Sequence, residues 1–139
     1  MSKGISKILG VIFALFLSPF LFANMRTDED GLKDIAKPYV GTYECTQLML
    51  GGEDCLEKFD YFRIELTGDG RFIVRIKDKK GKKHGGEAAY EYDTQSKRFF
   101  LVQKTWIGIK KIPFEIDGGE LFLFTRFGPK ILSLKLERG

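Results

Sequence analysis

Arg71-Phe72-Ile73-Val74-Arg75-Ile76-Lys77 decides the fold class, because its apolar residues recur at every second position. Phe72, Val74 and Ile76 lie on one side of an extended chain, and Arg71, Arg75 and Lys77 on the other. A helix would repeat every three to four residues, so this spacing specifies a strand with one buried face and one wetted face. Moving outward, the alternation returns in Phe62, Ile64 and Leu66 against Arg63 and Glu65, and in Ala88, Tyr90 and Tyr92 against Ala89, Glu91 and Asp93. Ile112, Phe114 and Ile116 alternate with Lys111, Pro113 and Glu115, and Leu132, Leu134 and Leu136 with Ser133, Lys135 and Glu137.

Short turns separate these runs. Gly68-Asp69-Gly70, the segment Asp78 to Lys83 centred on Gly81, Asp93 to Lys97, Asp117-Gly118-Gly119 and Gly128-Pro129 all carry residues that tight hairpins need. The pattern predicts eight strands near 40–50, 60–67, 71–78, 85–93, 98–105, 108–116, 120–127 and 130–138. The boundary between the fifth and sixth falls around Thr105-Trp106-Ile107-Gly108. Parallel pairing needs long crossovers, for which the chain has no room, so hairpins in series give a meander. With no long helix to cover the apolar face, the sheet closes on itself. The expected fold is an all-β, eight-stranded antiparallel up-and-down barrel with a short helical turn before it. A membrane-spanning barrel would need an apolar outer band and strands of about 9–11 residues. Several runs here are shorter.

The first 23 residues have the form of a secretory signal. Lys3 and Lys7 precede an uncharged run from Ile8 to Phe22, and Leu21-Phe22-Ala23 offers a cleavage site before Asn24. The run is short for a spanning helix, which needs roughly 20 residues, although an uncleaved anchor is the alternative. The expected organisation is a signal peptide at 1–23, a polar linker and helical turn at 24–38, and a barrel at 39–139. The predicted location is therefore the periplasm or the extracellular medium, with no membrane contact after cleavage. Removing Lys3 and Lys7 lowers the 23 basic residues to 21 against 19 acidic ones, too near balance for a nucleic-acid partner to be expected.

Export gives meaning to the two cysteines. Cys45 and Cys55 are expected to pair, closing a small loop and contributing ~2–3 kcal/mol. The alternative is two unpaired thiols. One histidine and no Cys-x-x-Cys leave no zinc spacing, and neither metal nor cofactor is expected.

Gly41-Thr42-Tyr43 opens the first strand and is followed by Leu50-Gly51-Gly52-Glu53-Asp54. Further on come Gly68-Asp69-Gly70-Arg71-Phe72, the run Gly86 to Asp93, and Phe114 to Leu121. In this order the segments resemble the small exported lipocalin-like domains of bacteria, over about 100 residues from Tyr39 onward. Gly41-x-Tyr43 is similar to the Gly-x-Trp start of lipocalins, with tyrosine in place of tryptophan. The resemblance implies an up-and-down barrel whose first aromatic sits at a closed end, beneath a helical plug that residues 32–39 would supply.

No constellation points to catalysis. His84 stands beside Lys82 and Lys83 and is expected to be solvated at a hairpin tip, with no nucleophile near it in sequence. Glu44, Glu53 and Asp54 are expected to serve loop solvation and a helix start. The five lysines Lys77, Lys79, Lys80, Lys82 and Lys83 are expected to keep a hairpin soluble, the alternative being a contact for phosphate, polysaccharide or anionic lipid. Tyr43, Phe62, Phe72, Tyr90, Tyr92 and Phe114 fall on predicted inner faces and are the candidate ligand-binding set. In a barrel this small they suit a filled core better than a pocket. Trp106, near Ile107 and Ile109, would line the barrel mouth or cap the core. Two functions stay open, neither of them enzymatic. One is a carrier of a small apolar ligand, expected to be a monomer; the other is an interaction or inhibitor module acting through its loops on a protein partner.

Overall fold

In the computed structural model, which describes residues 34–105 and 107–139, nine strands follow one another along the chain. They are β1 (Gly41–Leu50), β2 (Glu53–Asp54), β3 (Phe59–Leu66), β4 (Arg71–Asp78) and β5 (Lys83–Asp93), then β6 (Arg98–Thr105), β7 (Gly108–Asp117), β8 (Glu120–Phe127) and β9 (Lys130–Arg138). The expected signal segment, most of the linker and Trp106 lie outside the described residues. Each strand from β3 to β9 pairs antiparallel with the next, and β1 bridges β3 and β9 to close an eight-stranded barrel. The short β2 is additional to the eight strands expected. Gly51 and Gly52 take φ of +61° and +85°, conformations open to glycine, and turn the chain so that Glu53 and Asp54 pair back on Leu50 and Met49.

Alternation alone would place Tyr43, Cys45, Gln47 and Met49 on one face of β1. A bulge between Cys45 and Gln47 inserts an unpaired residue against β9 and resets the parity, so Leu48 and Leu50 are buried together with Tyr43. A second irregularity, between Phe59 and Tyr61, lets both Phe59 and Phe62 reach the interior. From there the core follows the predicted faces: Ile64 and Leu66, Phe72, Val74 and Ile76, and Leu132, Leu134 and Leu136 are all buried.

The outer wall is charged and laced by ion pairs: Arg71 to Glu87 at 2.7 Å, Arg75 to Glu65 at 2.7 Å, Lys111 to Glu91 at 2.6 Å, and Arg63 to Glu44. Exposed pairs of this kind contribute about 0–1 kcal/mol each and chiefly keep the wall wetted. Apolar residues inside and charges outside are the reverse of a membrane-spanning barrel.

One end of the barrel is plugged. Residues 34–36 are helical and pass into a 3-10 turn, Lys37–Tyr39. Ala36 is buried, the Tyr43 hydroxyl donates to the Tyr39 carbonyl at 2.7 Å, and Arg138 donates to the Pro38 carbonyl at 2.7 Å. The Arg138 guanidinium also lies 6.0 Å from the centre of the Tyr43 ring, a cation–π contact joining the last strand to the first.

Two expectations are corrected. Cys45 and Cys55 form no disulfide; both are free thiols, hydrogen-bonded to the Gln47 carbonyl (3.3 Å) and the Glu53 carbonyl (3.6 Å). The Cys55 N–H donates to the Leu48 carbonyl at 2.8 Å, which places Cys55 level with Leu48. Leu48 is three positions beyond Cys45 on β1, roughly 10 Å at the rise of a strand. A bridge needs Cα atoms within about 7 Å.

His84 is not solvated at the hairpin tip. It pairs with Ile76, an inward position, and its side chain is only 12% exposed beside the 6% exposed Asp78 carboxylate, 3.2 Å away.

Candidate functional site

The six aromatics expected to line a pocket divide into two groups. Tyr43, Phe62, Phe72, Tyr90 and Phe114 are buried, and Tyr92 is half-buried. Phe114 is the hub of the ring cluster, with its centroid 5.4 Å from Phe72, 5.4 Å from Phe99 and 6.1 Å from Tyr90. These are contact separations for aromatic pairs, so the rings fill the space between them. The buried hydroxyls are satisfied: Tyr43 through Tyr39, and Tyr90 by donating to the Thr67 carbonyl. Burial pushes both phenols above their ordinary pKa and keeps them neutral.

At the plugged end a solvent-open cleft adjoins this buried cluster. A cleft of about 340 Å³ lies between the helical turn, the β5–β6 hairpin and the lower part of β7. Its apolar lining comes from Tyr39, Tyr92, Phe99, Phe114 and Ile116, and its charged rim from Lys97, Arg98, Glu115 and Asp117. Tyr39 meets Phe99 edge-on at 5.5 Å, and Tyr92 meets Phe99 at 5.0 Å, so rings from three separate elements meet at Phe99.

The local sequence explains the hairpin at the rim. The Asp93 carboxylate accepts from the Ser96 hydroxyl at 2.8 Å and from the Gln95 N–H at 3.2 Å, and these bonds, the Ser96 one first, hold its pKa below the usual carboxylate range. The Lys97 N–H then closes onto the Asp93 carbonyl at 2.7 Å, which requires Lys97 to adopt φ +58°. It is the one non-glycine residue with positive φ among the described residues, and it borders the cleft. Arg98 is anchored to Glu115 across β6 and β7 at 3.2 Å.

Of the six, the structure leaves Tyr92 accessible in the cleft and sets Phe114 beneath it as a buried ring, with Tyr43, Phe62, Phe72 and Tyr90 in the interior. Sequence reasoning missed Tyr39, Lys97, Arg98 and Phe99 as site residues. Phe99 carried a weak signal, since Phe99, Leu101 and Gln103 alternate. Phe100 and Val102 on the opposite face hid it.

At the other end, Asp78 is a structural brace. It accepts from the Lys80 and Lys82 N–H groups at 2.9 and 3.0 Å through one oxygen and contacts His84 through the other, which lowers its pKa, with the His84 bond as the main cause. The Asp54 carboxylate accepts from the Leu56 N–H at 3.0 Å, at the head of the 3-10 turn Leu56–Lys58. Among the described residues, no three His, Cys, Asp or Glu side chains gather as a metal site would require. Set beside family models, curated proteins and solved structures, the chain shows no match to any of the three.

Proposed function

We propose that this chain is an exported, lipocalin-like binding module that performs no catalysis and takes a small ring-bearing ligand at its plugged end. The observation that carries the reading is the 340 Å³ cleft with an aromatic floor, since space of this order suits a small molecule and aromatic walls favour a flat guest. At the rim Lys97 and Arg98 stand against Glu115 and Asp117, with Arg98 paired to Glu115, so polar substituents of the guest meet donors and acceptors there. The centre of the barrel is the weaker candidate because Phe72, Phe99, Tyr90 and Phe114 occupy it ring against ring. That same filling favours, as a second reading, a module that works through its outer surface.

Anilinonaphthalene sulfonate, a flat anion, tests the proposal. Its fluorescence should rise saturably at one site, and Tyr92→Ala should weaken binding at least tenfold while leaving the circular dichroism spectrum intact. Phe124→Ser, on the outer face of β8, should leave the dye affinity alone. If Tyr92→Ala binds as the parent does, the cleft is not the site.

A further inference from the structure

The up-and-down order sends the β4–β5, β6–β7 and β8–β9 hairpins to the end opposite the plug, and the β3–β4, β5–β6 and β7–β8 turns to the plugged end. The two sets differ in charge. Each of the three plug-end turns carries an aspartate, Asp69, Asp93 and Asp117, whereas among the three opposite hairpins only β4–β5 does, at Asp78. The opposite hairpins expose Lys79, Lys80, Lys82 and Lys83, then Lys110, then Arg126 and Lys130. No Asp or Glu occurs anywhere from Thr94 to Phe114 or from Leu121 to Leu136.

On the lateral wall most charges cancel in pairs, and Lys111 is held by Glu91. Among the described residues, Lys80, Lys82, Arg126 and Lys130 form no ion pair, so these four positive charges at this end are left uncompensated by direct pairing. Lys79 is partly offset by Asp60 at 3.8 Å, and the loop bearing Glu53, Asp54 and Glu57 bounds the basic arc on its β1 side.

Large apolar side chains stand out within the basic arc. Ile107 is 76% exposed, Ile109 61% and Phe124 62%, and Ile131 is exposed beside them on β9. They lie on β7, β8 and β9 and the turn before β7, past the point where β7 and β8 part. The β7–β8 ladder runs from Asp117 to Phe114 and stops at Pro113, which has no N–H to offer, whereas β8 stays paired to β9 as far as Phe127. Isolated exposed apolar residues are commonplace, but several beside the acid-free β6–β7 and β8–β9 hairpins, on an end rich in lysine, form an interaction surface.

We propose that this end docks the barrel on the surface of an anionic phospholipid bilayer, with Ile107, Ile109, Phe124 and Ile131 entering the interfacial layer and the surrounding cations meeting lipid phosphates. Charge complementarity selects this occupant. A second copy would set one basic arc against another. A rigid protein partner would need a concavity to match scattered convex tips, whereas a bilayer deforms around them. Each cation held near such a surface adds roughly fivefold to the attraction, and salt screens it. The proposal departs from the expectation that the chain loses contact with the membrane after signal cleavage. It is independent of the cleft, which lies at the far end.

The test uses protein purified from an exporting host, its N-terminus read by mass, with vesicles of phosphatidylcholine alone or with about a third phosphatidylglycerol. Trp106, the only tryptophan in the chain and bonded directly to Ile107, reports contact through quenching by brominated lipid. Binding should require the anionic lipid, fall at least tenfold in 0.5 M NaCl, and quench Trp106. Arg126→Glu with Lys130→Glu, and separately Ile109→Ser with Phe124→Ser, should each weaken partitioning at least tenfold; all four positions are exposed, so folding is preserved. Equal binding by parent and variants, or vesicle binding without quenching, would place the contact elsewhere and overturn the proposal. Binding of soluble polyglutamate that is indifferent to Ile109→Ser with Phe124→Ser, without vesicle binding, would assign an acidic polymer instead and overturn it too.

Discussion

Phe114→Ala probes whether the barrel is filled. The side chain is 1% exposed and touches Phe72, Phe99 and Tyr90 at ring separations of 5.4, 5.4 and 6.1 Å, so its removal leaves a hole lined by stiff rings that close poorly. A buried phenylalanine covers about 150–250 Å² of apolar surface, about 4–6 kcal/mol at ~25 cal/mol per Å². Alanine keeps only part of that, so the expected loss is about 3–5 kcal/mol, in line with such truncations generally. For a domain of this size the melting temperature should fall by about 15–30 °C. Urea unfolding followed by circular dichroism measures the loss directly. Phe124→Ala, at a position 62% exposed, serves as the control and should change stability by no more than about 0.5 kcal/mol. A Phe114→Ala loss below about 1.5 kcal/mol would mean that the ring faces open space, that the interior is hollow, and that the case for moving the ligand out to the cleft fails.

Three further outcomes are expected. Asp78 has a lowered pKa in the folded state, so the stability it contributes is present above the ordinary carboxylate range and is lost as pH falls below about 4 through the folded value; amide exchange at Lys80 and Lys82, whose N–H groups it holds, should accelerate in acid ahead of amides in β8 and β9, and uniform exchange would contradict this. Burial pushes the Cys45 thiol up to about 12 and raises Cys55 as well, so at pH 8 both should alkylate slowly in the native protein and promptly in urea, two labels per chain; a mass two protons low with no label would restore the disulfide. Lys97→Gly removes a side chain from a left-handed position and should raise stability by about 1 kcal/mol in the same urea assay, whereas a loss would show that the Lys97 side chain contributes more than its backbone costs.

Much of this molecule was legible in the chain because strand periodicity is a local property. Phe72, Val74 and Ile76, or Leu132, Leu134 and Leu136, announce their buried face within a few residues, and glycine and aspartate in the turns announce antiparallel succession. Closure followed from the lack of any long helix to cover the apolar face. What the chain left undecided depends on pairing between distant segments. The bulge in β1 that brings Leu48 and Leu50 inward is a matter of register with β9, some 90 residues away. His84 looks like a surface residue in its lysine-rich surroundings, and only its pairing with Ile76 turns it inward to Asp78. A spacing of ten between Cys45 and Cys55 says nothing of where a glycine turn and a short strand carry the second thiol. The cleft needs Tyr39 from the plug, Tyr92 from β5 and Phe99 from β6 to meet. The basic end, too, is an alternation of hairpins whose charges add up only once the barrel has collected them at one rim. Local alternation determines which way a side chain faces; barrel closure determines which faces share a space, because that depends on register and on the entropy of joining segments far apart in the chain.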